Sequence, residues 1–128
     1  MKANAKRILV ADDYAGLRGL LCVILEQRGY EVLTADTGAA TIEVFRTHRP
    51  AIVVLDLHMP DMKGFDVLVQ LLAMDPHARI IIHSGRDIET VRERALALGA
   101  SEVFQKGASL TTLADFIEGP ATIAGSSV

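Results

Sequence analysis

Short apolar runs alternate with longer amphipathic stretches along the chain. The runs lie at 8–11, 31–35, 51–55, 78–82 and 102–105, each brief enough for a strand and most of them rich in valine or isoleucine. The first, third and fourth are almost unbroken, the pattern of strands covered on both faces of a parallel sheet. The stretches between them carry helical spacing. Leu17, Leu20, Leu21, Ile24 and Leu25 fall on one face of a first helix, which Gly29 closes. Ile42 and Phe45 mark a second helix, stopped before Pro50, and Phe65, Leu68, Leu71 and Leu72 mark a third. A fourth is predicted from Asp87 as N-cap through Val91, Ala95 and Leu98 to Gly99. A fifth begins at Ser109 and carries Leu110, Leu113 and Ile117; Gly119-Pro120 is expected to end it early. Five β-α units in alternation predict an α/β layered fold, and right-handed crossovers place helices on both faces of a parallel sheet. No internal repeat is visible. The small, unpatterned segment GPATIAGSSV at 119–128 reads as a flexible tail or the start of a linker after one domain at 1–118.

Composition narrows the class. The 128 residues suit one domain, and with half of them apolar, few aromatics and no tryptophan, its core is aliphatic. A net charge of −3 and a pI near 5.7, with no basic block, argue against direct nucleic-acid binding. No apolar run approaches the roughly 20 residues of a membrane span, and no secretory leader is visible, so a cytoplasmic location is expected. Cys22 is the sole cysteine, which excludes an internal disulfide, and its place among leucines leads one to expect buried filler rather than a nucleophile.

Ligands of an open parallel sheet bind beyond the carboxyl ends of its strands. Asp12 and Asp13 follow the first run, Asp56 ends the third, His83 and Ser84 follow the fourth, and Lys106 follows the fifth. A carboxylate ending a buried strand is costly without a partner. Three carboxylates at one edge repel one another and raise each other's pKa, and a divalent cation removes that conflict. Oxygen ligands alone suit Mg²⁺, with Mn²⁺ as its substitute, and the lack of a paired His or Cys motif argues against zinc. A cation, a carboxylate and a lysine together match the needs of phosphoryl transfer, in which a carboxylate can itself be the nucleophile. Asp56 is then the candidate acceptor, and Asp12 and Asp13 the candidate metal ligands.

The segments ILVADD at 8–13, VVLDLHMPDMKG at 53–64, IIIHSG at 80–85 and VFQKGA at 103–108, in that order and each at a strand end, resemble the receiver domain of bacterial two-component response regulators. The resemblance covers about residues 6 to 118. It implies a flavodoxin-like receiver fold, a five-stranded parallel sheet in the order 2-1-3-4-5. It implies that Asp56 is phosphorylated by a histidine kinase or a histidine phosphotransfer protein. Asp13, Asp56 and the His58 backbone carbonyl would ligate Mg²⁺, with Asp12 holding metal-bound water. Ser84 would bind a phosphoryl oxygen and move on activation, Phe104 would be the aromatic switch, and Lys106 would pair with the phosphoryl group. Pro60 and Gly64 would shape the loop after Asp56. The readout would be the surface of the fourth helix, fifth strand and fifth helix, which engages an output domain or effector protein or a second copy of the chain.

The chain departs from the family pattern at three points. Gly107 stands where proline usually follows the lysine; a cis bond before a non-proline costs roughly 2.5–4 kcal/mol, so trans is expected. Gly85 stands where alanine is common beside the switch hydroxyl, and the short fifth helix is expected to weaken the readout surface. The His58 side chain is expected to border the site and tune phosphoryl lifetime, whereas His83 is expected to pack near its strand end without titrating usefully. The alternatives are a degenerate receiver that binds partners without phosphorylation and a Mg²⁺-dependent phosphohydrolase with an aspartyl nucleophile. The second lacks room for a substrate cap. A nucleotide or flavin binder is disfavoured, because ADDYAG lacks the spacing of a phosphate cradle.

Overall fold

The computed structural model describes residues 6–85, 88–107 and 109–118 in full and 119–126 as backbone. The elements run β1 (Arg7–Ala11), α1 (Ala15–Gln27), β2 (Glu31–Ala35), α2 (Gly38–His48), β3 (Ile52–Asp56), α3 (Gly64–Met74), β4 (Arg79–Ser84), α4 (Ile88–Leu98), β5 (Glu102–Gln105) and α5 (Leu110–Ser126). All strand pairs are parallel, in the order β2-β1-β3-β4-β5 that the resemblance implies.

Alternation along the strands divides the core. Leu9, Val53, Leu55, Ile80, Ile82 and Val103 point to one face and pack with Phe45, Leu68, Leu71 and Ala95 of α2, α3 and α4. Ile8, Val10, Ile52, Val54 and Ile81 point to the other and pack with Leu21, Leu25, Leu113 and Ile117 of α1 and α5. Two helices end as the glycines dictate. Gly29 (φ 94°) and Gly99 (φ 114°) adopt conformations costly for other residues. At each, two backbone bonds reach back into the last turn: Gly29 to Glu26 and Tyr30 to Leu25, Gly99 to Leu96 and Ala100 to Ala95. Ser109 caps α5 through its hydroxyl, which accepts from the amides of Thr111 and Thr112. The N-cap expected at Asp87 lies outside the described residues.

Several expectations need correction. The third strand starts at Ile52 and includes Asp56, and the fourth starts at Arg79 and includes His83 and Ser84. The ladder continues through these polar residues, with Asp56 opposite His83 and Ser84 opposite Gln105. Leu20 is 56% exposed and Leu98 38%, so neither belongs to the buried stripe assigned to it. Leu21 and Leu25 carry the contact of α1 with the sheet instead.

The largest correction concerns α5, which does not stop at Gly119-Pro120 but continues to Ser126. A glycine within a helix costs only about 1 kcal/mol. Proline also removes an amide, here the one that would bond the carbonyl of Phe116. Arg79 supplies the missing donor: its guanidinium donates to the carbonyl of Phe116 at 3.2 Å and to that of Ile117 at 2.5 Å. The same guanidinium lies 5.6 Å from the centre of the Phe116 ring. The fifth helix is therefore not short, and the weakened readout surface inferred from its length does not follow.

Candidate functional site

Because the strands are parallel, the carboxyl ends of β1, β3, β4 and β5 meet at one edge. Asp12 and Asp13 leave β1, Asp56 is the last residue of β3, Ser84 the last of β4, and Lys106 follows β5. Carboxylate oxygens of Asp12, Asp13 and Asp56 lie within 4.8 Å of one another. The Lys106 ammonium is 3.1 Å from Asp12 Oδ2 and 3.4 Å from Asp56 Oδ2. The backbone places the lysine there: its amide donates to the Ser84 carbonyl at 2.7 Å, continuing the β4–β5 ladder.

Burial sets the electrostatics. Asp56 is 2% exposed, and desolvation pushes its carboxyl above the ordinary value. The His58 amide, donating to Asp56 Oδ1 at 3.0 Å, and the Lys106 ammonium pull the other way without cancelling it. Asp12 is also buried, and both of its oxygens are engaged: Oδ1 accepts from the Tyr14 amide at 2.9 Å and Oδ2 faces Lys106. Asp13 is exposed. Among the described residues three carboxylates face one ammonium, an excess of negative charge. An all-oxygen donor set with that excess fits a hard divalent cation. Asp56 is engaged in the same way, by the His58 amide at Oδ1 and by Lys106 at Oδ2, so the exposed Asp13 is the carboxylate most open to such an ion.

The loop after β3 closes the site on its other side. The His58 imidazole is half exposed, with Nδ1 4.0 Å from Asp56 Oδ1. His58 pairs with Lys63 across the loop base, and a Cβ at Gly64 would run into the backbone of Leu57. Gly64 is thus required for the loop to fold back, while Pro60 lies exposed along it. The Lys106–Gly107 bond is trans, as expected, and Gly107 takes a φ of 100°, a value that favours glycine. Ser84 is fully buried, and Phe104 is half buried with its ring centre 5.2 Å from that of Phe116.

His83 behaves as expected. It is 2% exposed, its Nδ1 has no hydrogen-bond partner among the described residues, and burial with the nearby Lys106 charge lowers its pKa to about 4. Sequence reasoning missed two residues that hold the site's loops. Arg18 donates to the Asp12 carbonyl at 2.7 Å. The Asp61 carboxylate accepts from the Gly38 and Ala39 amides at 2.7 and 2.9 Å. Arg18 reaches back only to the residue that leaves β1, whereas Asp61 reaches more than 20 positions, and no spacing rule announces either.

The sequence matches the response regulator receiver domain over residues 8–118. The chain belongs to this family. It is 34% identical over 102 residues to the chemotaxis protein CheY of Thermotoga maritima, covering 79% of this chain and 85% of that protein. To CheY of Bacillus subtilis it is 35% identical over 103 residues, covering 80% and 86%. A CheY-like receiver domain from Methanospirillum hungatei aligns over 98% of this chain and 100% of its own with a TM-score of 0.87; at 24% identity that likeness is one of fold. Members of the family are receiver modules of two-component signalling, switched by phosphorylation, and this chain is such a module. Among the described residues no helix is long and apolar enough to cross a membrane.

Proposed function

We propose that Asp56 accepts a phosphoryl group from the phosphohistidine of a histidine kinase or histidine phosphotransfer protein. The observation that carries this reading is the meeting of Asp12, Asp13 and Asp56 within 4.8 Å, with Lys106 on two of them. A carboxylate oxygen of Asp56 attacks phosphorus, the P–N bond of the donor breaks with its electron pair going to the imidazole, and an acyl phosphate forms. Asp13, Asp56 and the His58 carbonyl would hold Mg²⁺, or Mn²⁺ in its place, with Asp12 acting through water, and the ion would supply neutralisation of the phosphoryl charge. Lys106 balances phosphoryl charge from the opposite side. Ser84 binds a phosphoryl oxygen and draws towards it, Phe104 turns inward from Phe116, and the α4-β5-α5 surface changes for an output domain or effector protein, or for a second copy of the chain. Pro60, Gly64 and Gly107 shape the two loops around this chemistry. The receiver domain is taken as 1–118, with α5 carrying the backbone past its end to Ser126. The protein acts in the cytoplasm, without membrane or direct nucleic-acid contact, and its chemistry is confined to its own aspartate.

Acetyl phosphate with Mg²⁺ should add one phosphoryl group to the intact mass, and the addition should vanish without Mg²⁺ or in Asp56→Asn. No gain with Mg²⁺ would favour a receiver that binds partners without phosphorylation. His58 shields the acyl phosphate on its exposed side, so His58→Ala should speed its decay several-fold; an unchanged decay removes that role.

A further inference from the structure

We propose that Asp61 is a positioning residue for the cation site, its carboxylate tying the loop that carries His58 to the start of α2. The inference rests on the proposed function, because the loop is argued to supply a cation ligand. The two carboxylate oxygens of Asp61 take the amides of Gly38 and Ala39, the first two of α2. Those amides have no partner within the helix, and the positive end of the helix dipole favours an anion there. The two bonds hold the Asp61 carboxyl below the ordinary carboxylate range, so it remains ionised.

The tie joins a loop to a rigid body. Phe45 and Ile42 sink α2 into the core, and Phe45 is fully buried. The loop's base is already fixed by the His58–Lys63 pair and by Gly64 against Leu57. Its tip meets α2 at one more point, independent of the carboxylate: a Cβ at Gly38 would lie 2.8 Å from the Cβ of Met62. Glycine at the first position of α2 therefore lets the loop seat against the helix. Between base and tip, residues 57–63 form one wall of an open cleft of about 530 Å³ whose other wall is Asp13. Holding the tip fixes the distance across that cleft, and with it the approach of His58 to the carboxylates.

Asp61 does not serve α2 alone. The helix has its own cap in Thr37, whose hydroxyl accepts from the Ala40 amide at 3.0 Å. Among the described residues the hydrogen bonds of Thr37 go to Ala40 and Thr41 of α2, so it separates positioning from general stability. Free Mn²⁺, read by electron paramagnetic resonance, would be titrated against wild type, Asp61→Ala, Asp61→Asn and Thr37→Ala, each alongside its urea midpoint. Asp61→Ala should weaken Mn²⁺ binding by about tenfold. Asp61→Asn, with one acceptor left, should fall between it and wild type. Thr37→Ala should lose stability yet bind Mn²⁺ as wild type does. Wild-type affinity in Asp61→Ala, or equal weakening in Thr37→Ala, would overturn the inference. Should Asp61→Ala fail to fold, wild-type affinity in Asp61→Asn would overturn it. A wild-type protein that binds no Mn²⁺ would overturn the proposed function, and this inference with it.

Discussion

Asp56 and His83 sit side by side on neighbouring strands, both nearly closed to solvent, and burial moves them in opposite directions. The acid is pushed up and the imidazole down, because each charged form loses water. For Asp56 the penalty keeps the carboxylate poorly solvated beside Lys106, where a cation and a phosphoryl group would relieve it. For His83 the consequence is linked to stability. Its folded pKa of about 4 lies below the ordinary 6.5, so the unfolded chain takes up a proton first as the solution is acidified. Stability from this residue is intact above pH 6.5 and is lost as pH falls towards 4. The loss over the whole window is roughly 3 kcal/mol. Urea unfolding of His83→Leu at pH 7 and at pH 4.5 should show a shallower acid decline than wild type, and parallel declines would show that His83 does not carry it. The acidic residues of the site were readable because each stands where an apolar run ends. Asp61 was not, because its partners are backbone amides more than 20 positions away.

The strands and the faces of the helices followed from period and punctuation: Val53 to Leu55 is buried without interruption, and Gly29 and Gly99 end their helices in the conformations glycine allows. The failure at α5 has a definite cause. Proline stops a helix when nothing else satisfies the freed carbonyl, and here Arg79, from the far end of β4, does so. The expected cost of Arg79→Met is about 2 kcal/mol, since two carbonyls lose a charged donor. In a Pro120→Ala background the helix regains an amide for Phe116, so the same substitution should cost about 1 kcal/mol less. Equal costs in the two backgrounds, by urea unfolding, would refute the compensation. Leu20 failed for a different reason. Its spacing fits the buried stripe, but Leu21 and Leu25 face the sheet and Leu20 lies about 100° round the helix from Leu21, so 56% of it stays in solvent.

Taken together, the fold is a device for bringing four strand ends to one edge while two helical layers seal the sheet between them. The aliphatic core fixes where Asp56 stands, and the loops after β1, β3 and β5, with the last residue of β4, carry the other candidate residues. Phe104, resting against Phe116 on the α4-β5-α5 side, lies one strand from His83 and two from Asp56. The proposed function depends on Asp56 being the acceptor. The most direct test is to treat the protein with acetyl phosphate and Mg²⁺, reduce the product with borohydride, and sequence the peptides by mass spectrometry. An acyl phosphate is reduced to an alcohol, so the account predicts homoserine at position 56 and at no other aspartate. Homoserine at position 12 or 13, or none anywhere in a sample whose intact mass shows a phosphoryl group, would contradict it.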